Sequence, residues 1–223
     1  MSISLLLQAL GKAASGLALL GLLLFLPAGT PAYGNGWLLL GLLFIPMFLL
    51  GTILFAKAPD LLRKRLRADE QDPAQRRVVG FSALLFIVGF IAAGLDFRFG
   101  WTSVPRWLTI LSSVLFLFSY GLYAEVIREN AWLSRTVEIQ EGQTLIDTGL
   151  YSIVRHPMYA ATILMFLSMP LILGSFVSLV VFLTYPVPLI FRIRNEEELL
   201  AANLPGYAAY QQRVKYRLFP GIW

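Results

Sequence analysis

The chain has 223 residues, of which 57% are hydrophobic and only 14% are charged, whereas about 25% of an ordinary soluble domain is charged. This composition argues against a water-soluble fold and indicates an integral membrane protein. The net charge of +5 does not indicate nucleic-acid binding, because the basic residues lie at the ends of hydrophobic segments and not on one soluble face. The chain has no cysteine and one histidine, His156, which excludes disulfides, cysteine nucleophiles and a multi-histidine metal site.

The first membrane segments are predicted at 13–28 and 37–56, because about 20 apolar residues are needed to cross a hydrocarbon core of about 30 Å. Residues 2–26 superficially resemble a signal peptide, but the long apolar part and the second hydrophobic segment close behind it favour a retained helix. The basic stretch 57–77 is interpreted as a determinant of topology that contacts lipid headgroups, with a patch for an anionic lipid or substrate as the alternative.

Further segments are predicted at 78–95 and 107–126, followed by a helical hairpin at 158–190. The hairpin is inferred from Pro170 and Gly174, which interrupt a hydrophobic stretch that is too long for one span and too short for two full spans with a loop. Its halves are expected to cross as short or tilted helices, or to form a re-entrant pair.

The predicted fold is therefore an all-α integral membrane protein of about five to six transmembrane segments, with an N-terminal two-helix part over 1–77 and a core over 78–223. With a cytoplasmic N-terminus, 16 of the 18 Lys and Arg residues are cytoplasmic and only Arg98 and Arg106 lie outside. Because short cytoplasmic loops carry an excess of Lys and Arg, we predict this orientation, with both termini cytoplasmic in a prokaryotic cell membrane.

Residues capable of chemistry are concentrated in the C-terminal third of the chain. From Gln140 to Tyr159 a polar, turn-rich stretch leads into a hydrophobic helix, with Pro157 in the first turn, where its missing N–H costs nothing. Arg155 and His156 are then predicted at the helix start, where free backbone N–H groups can bind a carboxylate or hydroxyl oxygen. Either residue alone is explained as a cap or a headgroup anchor, but their adjacency favours a site.

A second polar cluster follows the hairpin, where Arg194 precedes three consecutive glutamates, 196–198. The simplest interpretation is a solvated helix face. A helix that begins here, however, places Arg194 and Glu198 one turn apart, so that at least one glutamate can be paired and turned toward the membrane domain. Carboxylates at a cytoplasmic opening suit a ligand that carries ammonium, sulfonium or ribose hydroxyl groups.

The C-terminal tail is predicted to contain an amphipathic helix. Tyr207, Tyr210 and Val214 are spaced i, i+3 and i+7, which places them on one helix face. We interpret this helix as a lid that lies on the membrane surface. A helix that only packs and anchors is the alternative.

At these motifs the sequence resembles the isoprenylcysteine carboxyl methyltransferase family, whose relatives include membrane phospholipid methyltransferases. The matching stretches are 148–159, which contains Arg-His-Pro-Met-Tyr, and the pair Glu197-Glu198 followed by Gly206-Tyr207 and Tyr210. The similarity covers about residues 78–223, whereas the first two helices match nothing specific.

The resemblance implies methyl transfer from S-adenosylmethionine to a lipophilic acceptor at the cytoplasmic membrane face. It also implies Arg194 as the substrate-facing arginine. Carried over by position, it nominates for the cofactor Gln143, Thr144, Leu145, Ile146, Tyr151, His156, Pro157, Met158, Tyr159 and Glu197, with Glu198 as the alternative to Glu197 because the alignment slips by one residue there.

The acceptor stays open at this point. The carboxylate of an isoprenylcysteine-like or other isoprenoid or lipid substrate is favoured, because a carboxylate is already a nucleophile at neutral pH and needs no strong base. A phospholipid amine or a thiol would require His156 or a tyrosine to help remove a proton. We expect contact with membrane lipids and no metal, and the sequence does not predict an oligomeric state.

Two other classes of function compete with methyl transfer. The end of the chain, 216–223, also resembles the C-terminus of membrane sterol reductases, which use NADPH. A small non-catalytic transporter is the second alternative. A transporter is expected to carry ionisable residues near mid-bilayer, whereas the candidates here cluster at the cytoplasmic boundary.

Overall fold

The computed structural model describes residues 3–66, 73–134 and 139–223. Within these ranges the chain is helical and contains no strand, and five helices are long and apolar enough to cross a membrane. The predicted all-α membrane fold is confirmed. The helices are α1 (Ile3–Ala28), α2 (Gly34–Lys57), α3 (Pro59–Leu66), α4 (Pro73–Phe99), α5 (Arg106–Glu129), α6 (Pro157–Leu173), α7 (Phe176–Phe182), α8 (Pro186–Asn203) and α9 (Tyr207–Arg213), with a 3-10 turn at Gly149–Ser152.

The N-terminal part differs from the sequence prediction in two places. Helix α1 begins at Ile3 rather than at residue 13, because Lys12 does not interrupt it: the Lys12 ammonium donates to the carbonyl of Leu66. The short helix α3 was not predicted and occupies part of the basic stretch 57–77, of which 67–72 lie outside the described residues. Helix α3 begins at Pro59, a residue that suits the first helical position. The basic residues of α3 lie in its last turn, where positive charge interacts favourably with the helix dipole.

The hairpin begins with α6, which ends at Gly174 with a positive φ of 81°, a conformation that glycine adopts without steric cost. The predicted interruption at Gly174 is confirmed, whereas Pro170 lies inside α6. The second arm, α7 and α8, continues past the predicted end at 190 to Asn203. The cluster of glutamates is therefore part of a helix that starts in the membrane domain.

Two features hold the hairpin against α4. A Cβ atom at Gly89 would lie 2.4 Å from the ring of Phe182, so only glycine permits this close approach of α4 and α7. At the turn of the hairpin, Ser175 and the Thr102 hydroxyl both donate to the buried carboxylate of Asp96. These contacts fix one end of the hairpin, and its other end carries the polar cavity described next.

Candidate active site

A polar cavity lies at the end of the bundle where α6 begins. Its wall combines the end of α5 with the loop behind it, the segment 143–146, the start of α6, and residues of α8 and α9. The lining residues are Asn130, Trp132, Leu133, Ser134, Gln143, Thr144, Leu145, Ile146, Tyr151, Arg155, His156, Pro157, Met158, Tyr159, Arg192, Glu196, Leu200, Leu204, Tyr207 and Tyr210.

The start of α6 is held by the C-terminal tail. The backbone N–H groups of Arg155 and His156 donate to the carbonyls of Tyr216 and Arg217 at 3.0 and 2.9 Å. The Arg155 guanidinium also donates to the tail, to the Val214 carbonyl at 2.6 Å. Since a buried cation is stable only when its donors are paired, the tail is an integral part of this site.

Glu197 supplies the negative charge that pairs with the arginines of this site. Its carboxylate accepts from Arg155 Nε at 2.6 Å and from Arg217 Nε at 2.8 Å, and lies 3.2 Å from His156 Nε2. The residue is only 5% exposed and does not line the cavity. Glu198 is exposed and has no place in this network, whereas Glu196 lines the cavity.

A second network joins Glu196 to Arg192. The Tyr159 hydroxyl donates to Glu196 at 2.5 Å and accepts from Arg192 Nε at 3.0 Å. Arg192 Nη1 in turn donates to Oε1 of the fully buried Gln75 at 3.1 Å. The structure thus places Arg192 on the cavity wall, while Arg194, nominated from the sequence, is exposed and outside it.

The phase of α8 explains this difference. The helix begins at Pro186, and its buried stripe passes through Leu189, Ile193 and Glu197. Residues 192, 196 and 200 follow the same i, i+4 spacing one position earlier and line the cavity, as expected for neighbours on one helix face. The sequence contains this i, i+4 pattern, but the face of α8 that lines the cavity can be assigned only when the first residue of the helix is known.

Three tyrosines close the cavity on the side of α9. The helix predicted from the sequence is present and buries Tyr207 and Tyr210 on one face, whereas Val214 is buried beside them but lies past the end of α9 in an extended conformation. The Tyr210 hydroxyl donates to the carbonyl of Tyr151 at 2.7 Å, and Arg213 pairs with Asp147 at the edge of the cavity. The buried Tyr207 hydroxyl has no hydrogen-bond partner within the described part of the chain.

Burial also sets the protonation of these tyrosines. It raises the pKa of Tyr151 to about 12, although the hydrogen bond from Asn130 opposes the effect. Burial, and next to it the Glu197 charge, raises the pKa of Tyr207, and burial raises that of Tyr210. The raised pKa values favour the protonated phenols, so none of the three offers a base at neutral pH.

The residues nominated for a cofactor are largely brought together. The segment 143–146, Tyr151 and the stretch 156–159 all line the one cavity. Sequence reasoning missed Asn130, Trp132 and Ser134, which follow α5 and are far from the motif in the chain. No local pattern marks them, since only the packing of α5 on α6 brings them to this wall.

A second, apolar cleft lies between α2, α3, α5 and α6, and it meets the polar cavity where Arg65 of the cleft contacts Ser134 and Met158 of the cavity. Its lining residues are Met47, Leu50, Gly51, Leu54, Leu62, Arg65, Tyr120, Tyr123, Ile127, Thr162, Met165 and Phe166. No group of three or more His, Asp or Glu side chains capable of holding a metal ion is found among residues 3–66, 73–134 and 139–223.

Part of the chain matches a known protein family. Residues 110–202 match the model of the isoprenylcysteine carboxyl methyltransferase (ICMT) family. The chain carries an ICMT-family region. This region contains the start of α6 and the glutamates of α8, so the family resemblance predicted from these motifs is confirmed.

A curated relative and a solved structure extend the comparison beyond the ICMT-family region. The cobalt-zinc-cadmium resistance protein CzcN of Cupriavidus metallidurans is 30% identical over 134 residues, which are 57% of this chain and 58% of the relative. The chain thus matches little more than half the length of this relative. The eukaryotic intramembrane Ras methyltransferase ICMT has a similar structure, with a TM-score of 0.56 and 19% identity over 96% of this chain and 77% of that chain. At this identity the likeness shows the fold, and it includes the N-terminal helices.

Proposed function

We propose that this protein, which carries an ICMT-family region over residues 110–202, transfers a methyl group from S-adenosylmethionine to the carboxylate of a lipophilic acceptor, such as an isoprenylcysteine. The observation that carries the proposal is the adjacency of a polar cavity, built from the family motifs, to an apolar cleft among the membrane helices. A polar methyl donor would reach such a site through the polar cavity, and a lipophilic acceptor would reach it through the apolar cleft.

The residues of the polar cavity fit this cofactor. The buried Tyr207 hydroxyl, which lacks a partner within the described chain, is suited to donate to a ligand, because a buried polar group costs free energy until it is paired. Glu196 offers a carboxylate to an ammonium or ribose group, and Leu145 and Ile146 offer apolar contact. S-adenosylmethionine, when bound, supplies a methyl group that its sulfonium has already activated.

The tyrosines of the site offer no base at neutral pH, which is compatible with a carboxylate acceptor. A carboxylate attacks the methyl carbon without losing a proton, whereas an amine or thiol requires a base. Tyr151, Tyr207 and Tyr210 stay protonated at neutral pH because burial raises each pKa. The chain then has to align the reactants and exclude water, which the apolar cleft is suited to do.

The reaction is proposed to occur on the cytoplasmic side. Arg98 and Arg106 belong to the end of α4 and the start of α5, at the bundle end opposite the cavity, whereas the other Lys and Arg residues within 3–66, 73–134 and 139–223 belong to the cavity end. The positive-inside rule supports this orientation. S-adenosylmethionine would then reach the cavity from the cytoplasm.

The test combines binding with product chemistry. Detergent-purified protein is titrated calorimetrically with S-adenosylhomocysteine and NADPH, and is incubated with methyl-labelled S-adenosylmethionine and N-acetyl-S-farnesylcysteine. We expect S-adenosylhomocysteine to bind and the product to release volatile labelled methanol in alkali, as a methyl ester does and a methylated amine or thioether does not. Binding of NADPH without S-adenosylhomocysteine would instead support a reductase, and the absence of alkali-labile label on this acid would contradict an isoprenylcysteine carboxylate as the acceptor.

A further inference from the structure

Arg65 lies at the border between the polar cavity and the apolar cleft. Its Nη1 atom donates to the carbonyl of Ser134 at 3.3 Å and lies 3.9 Å from the sulfur of Met158. Both of these residues line the polar cavity. Arg65 itself lines the apolar cleft, where its guanidinium is 5.3 Å from the ring centroid of Tyr123. One side chain therefore contacts both compartments.

The position of Arg65 is set by the packing of α3. Leu61 and Leu62 of this helix are buried in a cluster with Leu54 of α2 and Val126 of α5. This anchoring turns Arg65 inward. Arg63 on the same helix is instead exposed and pairs with Asp60 of its own helix.

Within the described residues, Arg65 is the only charged side chain that lines the apolar cleft. An apolar cleft with one cation at its polar end matches a ligand with a hydrocarbon body and an anionic head. Arginine is well suited to a carboxylate, because its planar guanidinium can donate two parallel hydrogen bonds. The cation also lies beside Met158, at the wall shared with the proposed cofactor cavity.

We infer that Arg65 binds and orients the carboxylate of the acceptor, so that an arginine outside the ICMT-family region 110–202 selects an anionic headgroup. The inference rests on the proposed function and adds a substrate-specificity residue to it. The hydrocarbon body occupies the cleft between α2, α3, α5 and α6, and the carboxylate meets Arg65 next to the methyl donor's cavity. A neutral acceptor of the same shape gains less from this contact, because its carbonyl oxygen accepts a hydrogen bond without the charge assistance of a carboxylate.

The test compares two probes that differ only in the headgroup, N-acetyl-S-farnesylcysteine and its carboxamide. Their affinities are measured for the wild-type protein and for Arg65→Gln, Arg65→Lys and the control Arg63→Gln. We expect Arg65→Gln to weaken binding of the acid about 10- to 100-fold, the value of a charge-assisted hydrogen bond, and to weaken binding of the amide much less. Arg65→Lys should retain part of the preference and Arg63→Gln all of it.

Binding of S-adenosylhomocysteine, measured in the same samples, reports on folding and on the proposed function separately. We expect it to be unchanged in Arg63→Gln and to change less than the affinity for the acid in the two Arg65 variants, because Arg65 also donates to Ser134 of that cavity. The inference is overturned if Arg65→Gln weakens the acid and the amide equally or affects neither, or if wild-type protein that binds S-adenosylhomocysteine does not prefer the acid. Wild-type protein that binds no S-adenosylhomocysteine would instead remove the proposed function itself.

Discussion

Arg155 donates a 2.6 Å hydrogen bond from Nε to Oε1 of Glu197, and both side chains are buried. The pair joins the start of α6 to α8 and unites two motifs that are 42 residues apart in the chain. A buried ion pair adds little stability compared with a well-packed apolar pair, but loss of one partner leaves an uncompensated charge. Substitution of either partner is therefore expected to destabilise the fold at this site.

The first prediction concerns the two neighbouring glutamates of α8. Glu197→Gln should lower the free energy of unfolding by about 3 kcal/mol or more, because it leaves Arg155 and Arg217 without an anion. Thermal unfolding in detergent measures the effect. The control Glu198→Gln changes an exposed residue and should stay within about 0.5 kcal/mol of wild type. Similar losses in both variants would contradict the network around Glu197.

A second prediction separates binding from stability at α9. Tyr207→Phe removes a buried hydroxyl that has no partner in the described part of the chain, so the stability should stay equal or rise. Affinity for S-adenosylhomocysteine should fall by about 3- to 10-fold, the value of one neutral hydrogen bond. Tyr210→Phe should show the opposite pattern, because this hydroxyl donates to the Tyr151 carbonyl and its loss destabilises the fold. Unchanged affinity in Tyr207→Phe would show that the hydroxyl does not contact the cofactor.

The third prediction compares the two arginines of α8. Arg192→Lys should reduce kcat/KM for methyl transfer by about tenfold or more, because a lysine cannot reproduce the fork that reaches both Tyr159 and Gln75. Arg194→Lys, at an exposed position outside the cavity, should leave the rate unchanged. Initial rates with labelled methyl donor measure both. A loss confined to Arg194→Lys would restore the assignment made from the sequence.

The fourth prediction concerns alkaline pH. Burial raises the pKa of Tyr151 from 10.0 to about 12, so the neutral phenol is favoured in the folded state. Its contribution to stability is then complete below about pH 10 and is lost as the pH rises toward 12. The Tm should hardly change between pH 7 and 9 and should decrease above pH 10. Tyr151→Phe should lose less Tm over the alkaline interval, and equal losses in both proteins would contradict this origin.

Much of the fold could be predicted because apolar length and glycine position are local signals. The break at Gly174 and the buried face of Tyr207 and Tyr210 are of this kind. Helix α3 could not be predicted, since half of its eight residues are charged and burial of Leu61 and Leu62 against other helices stabilises it. Helix formation of such short segments depends on tertiary packing.

Only part of the candidate site could be predicted from the sequence. The contiguous stretch 143–159 could be nominated because one motif carries it. Arg192 could not be chosen over Arg194, since the choice depends on where α8 begins, and a shift of two residues turns a side chain by more than half a helical turn. The proposed role of Arg65 in binding the acceptor carboxylate could not be predicted either, because only the packing of α3 and α6 brings Ser134 and Met158 to it.

The dependence of Arg155 on the tail constrains the order of folding. Synthesis proceeds from the N-terminus, so α1 to α6 exist before Glu197 and the carbonyl of Val214 that pairs with Arg155. Until those residues dock, Arg155 lacks the acceptors within the chain that pair with it in the folded protein. Docking of the tail is therefore the step that matures the site, and a chain interrupted before Val214 would insert into the membrane but remain inactive.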